Sequence, residues 1–201
     1  VTNGRISEDR VNDAVTRIIQ VKQNEGIFDD PFCEKIELAQ KTTGSETYRN
    51  LAEQLVEKSL VLLKNEDNVL PFTSGKKIYL TGPALDHAQT QCGGWTVDWN
   101  SSPSIDINGV TTILNAFEEL ADSYGITLIT DPAEAQNADA VLLVVGEKSY
   151  AEWLGDTEDL QLCGMLGLDD NQKAIDDVKT LNKPTVACIL AGRQVIIEDY
   201  F

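Results

Sequence analysis

The stretch DAVLLVVGE, residues 139–147, is an apolar run bounded by acidic residues. A short continuous run of this kind is typical of a strand that is buried on both faces of a parallel sheet. The run is too short to span a bilayer, and it contains Asp139. We therefore expect a central strand of a globular domain here, and we expect no association with a membrane.

Strands and helices alternate on both sides of this run. Further strands are predicted in KKIYLTG, ITLIT and KPTVACILAG, at residues 76–82, 126–130 and 183–192. Helical periodicity predicts helices at residues 8–22, 45–64, 111–123 and 169–181. This alternation indicates an α/β fold with a mostly parallel sheet sandwiched by helices.

Composition excludes several classes of function. The formal net charge of −17 argues against nucleic acid as a partner, because phosphate backbones are bound by lysine and arginine. Four cysteines without a CxxC pair and a single histidine argue against a metal site. The chain has no G-x-S-x-G, G-x-G-x-x-G or Walker motif, so we expect no serine nucleophile and no cofactor.

Two unusually long loops follow predicted strands. One covers residues 83–109 and contains QCGGWTVDWN, and the other covers residues 147–168. In parallel α/β sheets the carboxyl ends of the strands share one edge, and ligands bind outside that edge. The two loops should therefore form one wall of a ligand site.

The loops carry aromatic and acidic side chains. Trp95 and Trp99 lie four apart in a glycine-rich loop, where flat indole faces could stack on sugar rings. For Trp153, packing and ligand contact remain open alternatives. Glu152 lies between Tyr150 and Trp153, which could desolvate a carboxyl and favour the protonated form that a general acid needs.

Five segments, in order, resemble glycoside hydrolase family 3, in particular its exo-acting β-glucosidases and β-glucan exohydrolases. The segments are GRISEDRVNDAVTRIIQVKQNEGIF, LAEQLVEKSLVLLKNEDNVLPF, LTGPALDHAQTQCGGWTVDW, VLLVVGEKSYAEWLGD and NKPTVACILAGRQVII. The resemblance implies a (β/α)8 barrel followed by an α/β sandwich, with the active site between them. On this basis residues 1–32 are the end of the barrel, 33–47 a linker and 48–201 a sandwich domain truncated at its C-terminal end.

The resemblance also implies the chemistry. Family members are retaining glycosidases, and the glutamate that matches their acid/base is Glu152, with Glu147 a less favoured alternative. The tryptophan loop flanks the sugar, which implies contacts from Trp99, then Trp95, and from Trp153. The aspartate nucleophile belongs to the barrel and is not in this chain, so the fragment is expected to be inactive alone.

The expected function is hydrolysis of terminal β-glucosyl residues from β-glucosides or β-glucan oligosaccharides, with the missing barrel as partner domain. The alternative is a non-catalytic carbohydrate-binding or interaction module of α/β fold, in which the two loops only bind. The compartment is not predicted, because a signal region would lie before Val1.

Overall fold

The structure is a computed structural model that describes residues 1–32, 36–100, 107 and 109–201. The chain divides into two compact units, residues 1–63 and 64–201. The start of the predicted linker, residues 33–35, and much of the end of the first long loop lie outside the described residues. The domain boundaries at 32/33 and 47/48 stay predictions.

The described residues of the first unit form three helices, α1 (Glu8–Asn24), α2 (Ile36–Thr42) and α3 (Glu46–Ser59). The Ser7 side chain accepts a hydrogen bond from the Arg10 backbone N–H, as expected for the N-cap of α1. The predicted helix at residues 45–64 is wrong beyond Ser59, because Leu60 has extended backbone angles. Residues 60–63 are exposed, and helices depend on packing of their apolar side chains for stability.

The second unit is built on a four-stranded sheet. Its strands are β1 (Lys77–Thr81), β2 (Thr127–Ile129), β3 (Ala140–Gly146) and β4 (Thr185–Leu190), in the order β2-β1-β3-β4 and parallel throughout. In the part of this unit that the structure describes, the α-helices are α4 (Ala88–Cys92), α5 (Ile113–Tyr124) and α6 (Asn171–Leu181). The predicted α/β fold is confirmed.

Strand β3 is the centre of the unit, and all of its residues are buried. Val141 and Val145 face a core that includes Ile175 of α6. Leu142 packs in a second core with Phe117 of α5. The alternation of side chains along a strand thus places one helix on each face of the sheet, as the sandwich prediction required.

The strand order creates a topological switch point between β1 and β3. From β1 the chain passes through α5 to β2 on one side, and from β3 it passes through α6 to β4 on the other. The crevice outside such a point is the usual ligand site of an open α/β sheet. Both long loops leave the sheet there. Among the described residues, no helix is both long enough and apolar enough to cross a membrane.

Candidate functional site

The two long loops contact each other at the carboxyl edge of the sheet. Thr90 Oγ1 donates to the carbonyl of Glu147 at 3.0 Å, and the backbone N–H of Ala151 donates to Asn100 Oδ1 at 3.1 Å. A side chain at Gly94 would collide with the carbonyl oxygen of Tyr150. The prediction that the loops emerge on one edge and meet is confirmed.

The loops also join through two indoles. The ring centroids of Trp99 and Trp153 lie 4.7 Å apart at an interplanar angle of 55°. Trp153 is nevertheless 63% exposed, so it packs against a neighbour and still presents surface to solvent. Trp99 is half-buried, and its buried Nε1 finds no hydrogen-bond acceptor among the described residues. Trp95 is 67% exposed, and its backbone N–H donates to the Trp99 carbonyl.

Glu152 begins a short 3-10 turn, Glu152–Gly155, and its side chain is exposed. Its backbone has φ of 51°, in the left-handed region that non-glycine residues rarely adopt. The sequence predicted a carboxyl desolvated by Tyr150 and Trp153, and this is not observed. The Tyr150 hydroxyl instead donates to Glu147 Oε2 at 3.0 Å.

Glu147, by contrast, is buried, with 3% of its surface exposed. Its Oε1 accepts from Arg193 Nε at 3.1 Å, and its Oε2 accepts from Tyr150 and from the Gly192 backbone N–H. Burial, reinforced by the hydrogen bond to Glu147, raises the pKa of the Tyr150 phenol. Both carboxylate oxygens of Glu147 thus accept hydrogen bonds from the protein itself, whereas Glu152 is exposed. The sequence of the loop, which is rich in acidic residues, does not show this difference.

Arg193 was missed by the sequence interpretation. It follows β4 on the same sheet edge, and that position in AGRQ is the signal that could have identified it. Besides pairing with Glu147, its guanidinium donates to the carbonyl of Gly155 at 2.9 Å and to that of Asp159 at 3.5 Å. It therefore links the end of β3 to the second loop.

The acidic residues of the second loop do not all behave as solvated surface. The Asp159 carboxylate accepts from the backbone N–H groups of Met165 and Gln161. These hydrogen bonds, that from Met165 foremost, lower the pKa of Asp159. Within the described ranges, no three His, Cys, Asp or Glu side chains come together as a group that could hold a metal ion.

Comparisons with known proteins agree with this architecture. A family model described as "Glycosyl hydrolase family 3 C-terminal domain" matches residues 60–200. A lysosomal beta glucosidase of Dictyostelium discoideum is 29% identical over 98% of this chain and 26% of its own length. A beta-xylosidase of Formosa agariphila is 26% identical over 94% of this chain and 27% of its own length.

A solved structure is similar throughout the chain. The exo-1,3/1,4-beta-glucanase of a Pseudoalteromonas species superposes with a TM-score of 0.84 and 31% identity, over 98% of this chain and 25% of that one. The chain thus spans about a quarter of the length of these relatives. The matched region contains the whole sheet and both long loops. This chain belongs to glycosyl hydrolase family 3, and its residues 60–200 match the C-terminal domain of that family.

Proposed function

We propose that this chain is part of a retaining, exo-acting β-glucosidase or β-glucanase that hydrolyses terminal β-glucosyl residues. The observation that carries the proposal is the exposed residue Glu152, which directly precedes Trp153 of the Trp99–Trp153 pair, where two loops meet outside the switch point of the sheet. The similarity to proteins named beta glucosidase and exo-1,3/1,4-beta-glucanase supports this substrate class.

In this proposal Glu152 is the general acid/base. It donates a proton to the leaving glycosidic oxygen and then accepts one from the water that releases the glycosyl-enzyme intermediate. Glu147 is the weaker candidate, because it is buried and each of its oxygens already accepts a hydrogen bond. A carboxyl that must reach a substrate needs the accessibility that Glu152 has.

The nucleophile is proposed to come from outside these 201 residues. Retaining hydrolysis needs a second carboxyl about 5 to 5.5 Å from the acid/base. Relatives are about four times as long as the chain, which leaves room for a barrel domain that supplies this group. The isolated chain is accordingly expected to have no hydrolytic activity.

Hydrolysis by the full-length protein tests the proposal. We expect release of glucose from aryl β-glucosides and from β-1,3- and β-1,4-linked oligosaccharides, with the β-anomer as the first product in a proton NMR time course. An α-anomer as first product would contradict retention. An aryl β-xyloside is included in the assay because one relative is named a beta-xylosidase. A kcat/KM that is higher on the aryl β-xyloside than on the aryl β-glucoside would contradict the proposal that the substrate sugar is glucose.

Calorimetry on the isolated chain separates the enzyme from a carbohydrate-binding module. An enzyme half-site lacks most of the polar contacts to a sugar, so we expect negligible affinity for laminari- and cello-oligosaccharides. Micromolar binding by the chain alone, combined with no hydrolysis by the full-length protein, would favour the module.

The indole pair leads to a prediction about substrate binding. In the full-length protein, Trp99→Ala is expected to raise KM by about 5- to 10-fold, which corresponds to the upper half of the roughly 0.5–1.5 kcal/mol that aromatic contacts contribute. Trp95→Ala should have a smaller effect of about twofold, because the Trp95 ring is exposed and not part of the ring pair. Steady-state kinetics on a β-glucan trisaccharide measures both.

Tyr124→Ala is a matched control, because Tyr124 is an exposed aromatic residue at the end of α5. It should leave KM unchanged. A Trp99→Ala variant with the KM of this control would remove Trp99 from the proposed sugar-binding wall.

A further inference from the structure

Arg193 connects three parts of the site. Its Nε lies 3.1 Å from Glu147 Oε1, its Nη1 lies 2.9 Å from the carbonyl oxygen of Gly155, and its Nη2 lies 3.5 Å from that of Asp159. Gly155 is the last residue of the 3-10 turn that Glu152 begins. The guanidinium therefore holds the end of the turn whose first residue is the proposed acid/base.

The position of Arg193 is itself fixed. Only 19% of its side chain is exposed, and its partner Glu147 is 3% exposed. Glu147 is held in turn by the Tyr150 hydroxyl and the Gly192 backbone N–H, and the Arg193 guanidinium lies 5.3 Å from the centroid of the Tyr150 ring. Hydrogen-bonded and paired groups of this kind, removed from water, stay in one arrangement.

The other end of the turn is held by the first loop. Asn100 Oδ1 accepts from the backbone N–H of Ala151, the residue directly before Glu152. Glu152 lies between these two attachments with a left-handed φ of 51°. A non-glycine residue persists in such a conformation only when its surroundings impose it. Asn100 and Arg193 supply attachments on both sides.

We propose that Arg193, fixed by buried Glu147, is a positioning residue for the general acid/base Glu152. The inference rests on the proposed function, since it assigns Glu152 the role described there. Glu147 and Arg193 do not touch the substrate in this view. They set the conformation of the Glu152–Gly155 turn and with it the position of the carboxyl.

Arg193→Lys in the full-length protein tests the inference. Lysine keeps the positive charge beside Glu147, but a single ammonium cannot span the carboxylate and the Gly155 carbonyl as the guanidinium does. Since a misplacement of about 1 Å can cost 10²-fold in rate, kcat on a poor leaving group such as an alkyl β-glucoside should fall roughly 10- to 100-fold. On an activated dinitrophenyl β-glucoside the pre-steady-state rate of dinitrophenol release should fall less than about threefold, because glycosylation then needs little protonation. The steady state that follows should slow down, because the misplaced carboxyl is also the general base of deglycosylation.

Two controls make the outcome decisive. KM of Arg193→Lys on the alkyl glucoside should stay within about twofold, and the melting temperature within a few degrees. Lys173→Ala, which removes an exposed lysine paired with Asp177 in α6, should leave both rates unchanged.

The inference and the proposed function fail in different ways. If Glu152→Gln keeps its rate on the alkyl glucoside, Glu152 is not the acid/base, and the proposal and the inference both fall. If Glu152→Gln loses that rate but Arg193→Lys retains it, Arg193 does not position the carboxyl. An equal loss by Arg193→Lys in kcat on the alkyl glucoside and in the burst rate on the dinitrophenyl glucoside would also overturn the inference, because it would indicate general damage to the site.

Discussion

Replacing Glu152 by glutamine in the full-length protein is expected to lower kcat on alkyl or oligosaccharide β-glucosides by about 10²- to 10⁴-fold, the usual contribution of a general acid/base. Glutamine has nearly the shape of glutamate but cannot donate a carboxyl proton to the glycosidic oxygen. KM should change little, because the exposed Glu152 side chain is proposed to act on the reacting bond and not to anchor the sugar. Steady-state kinetics on two leaving groups measures the effect.

The dependence on the leaving group is the specific signature. On a dinitrophenyl β-glucoside the glycosylation step needs almost no protonation, so Glu152→Gln should form the glycosyl-enzyme at a rate close to that of the unmodified protein. Its breakdown still lacks a general base, so a pre-steady-state burst of phenol should precede a slow steady state. Equal rate losses on both substrates without a burst would contradict the acid/base role.

Glu158→Gln is the matched control, because Glu158 is an exposed glutamate in the same loop. It should leave both rates within about twofold of the unmodified protein, as surface substitutions generally do. A loss in Glu158→Gln comparable to that in Glu152→Gln would indicate that the acidic character of the loop matters and not one particular carboxyl.

The fold could be predicted because its signals are local. Residues 139–147 are apolar between their acidic ends, and the observed strand Ala140–Gly146 is buried along its whole length. The flanking alternation of strands and helices then leaves few arrangements for a parallel sheet. The end of α3 at Ser59 was not predictable in this way, because an apolar run such as residues 60–63 does not indicate whether a partner covers it.

The sequence predicted where the site lies in the fold better than it predicted which side chains contact each other there. Loop lengths and the rule for parallel strands placed Trp99 and Trp153 on one edge, where their rings meet. The sequence did not indicate that Tyr150 pairs with Glu147 and leaves Glu152 exposed. The burial of Glu147 also depends on a residue distant along the chain, because its partner Arg193 lies 46 positions later. The local pattern places Arg193 after a strand, but it does not indicate which carboxylate Arg193 pairs with.

Asn171 is another long-range contact that the sequence did not reveal, and its loss should have the largest effect on stability. The side chain is completely buried. Its Nδ2 donates to the carbonyl oxygens of Gly146 and Leu162 at 2.7 and 2.9 Å, and its Oδ1 accepts from the Gly146 N–H at 3.2 Å. It thus joins the end of β3 to a distant point of the loop that carries Glu152.

Asn171→Ala is expected to lower the free energy of unfolding by about 3 to 5 kcal/mol, because the Gly146 N–H and the Leu162 carbonyl lose their Asn171 partner and each buried group left unpaired costs roughly 1–3 kcal/mol. The Gly146 carbonyl keeps a second hydrogen bond, from the Leu168 N–H. Urea unfolding of the 201-residue chain, followed by tryptophan fluorescence, measures this change. The probe is well placed, since all three tryptophans, Trp95, Trp99 and Trp153, lie in the two loops of the second unit.

Two further variants show whether hydrogen bonding is the cause. Asn137→Ala removes an exposed asparagine and should change the free energy of unfolding by less than about 0.5 kcal/mol. Asn171→Asp keeps the volume and the acceptor for Gly146 N–H but turns an oxygen toward two carbonyls, so it should destabilise at least as much as alanine. If Asn171→Asp were as stable as the unmodified chain, shape and not hydrogen bonding would explain why asparagine occupies this position.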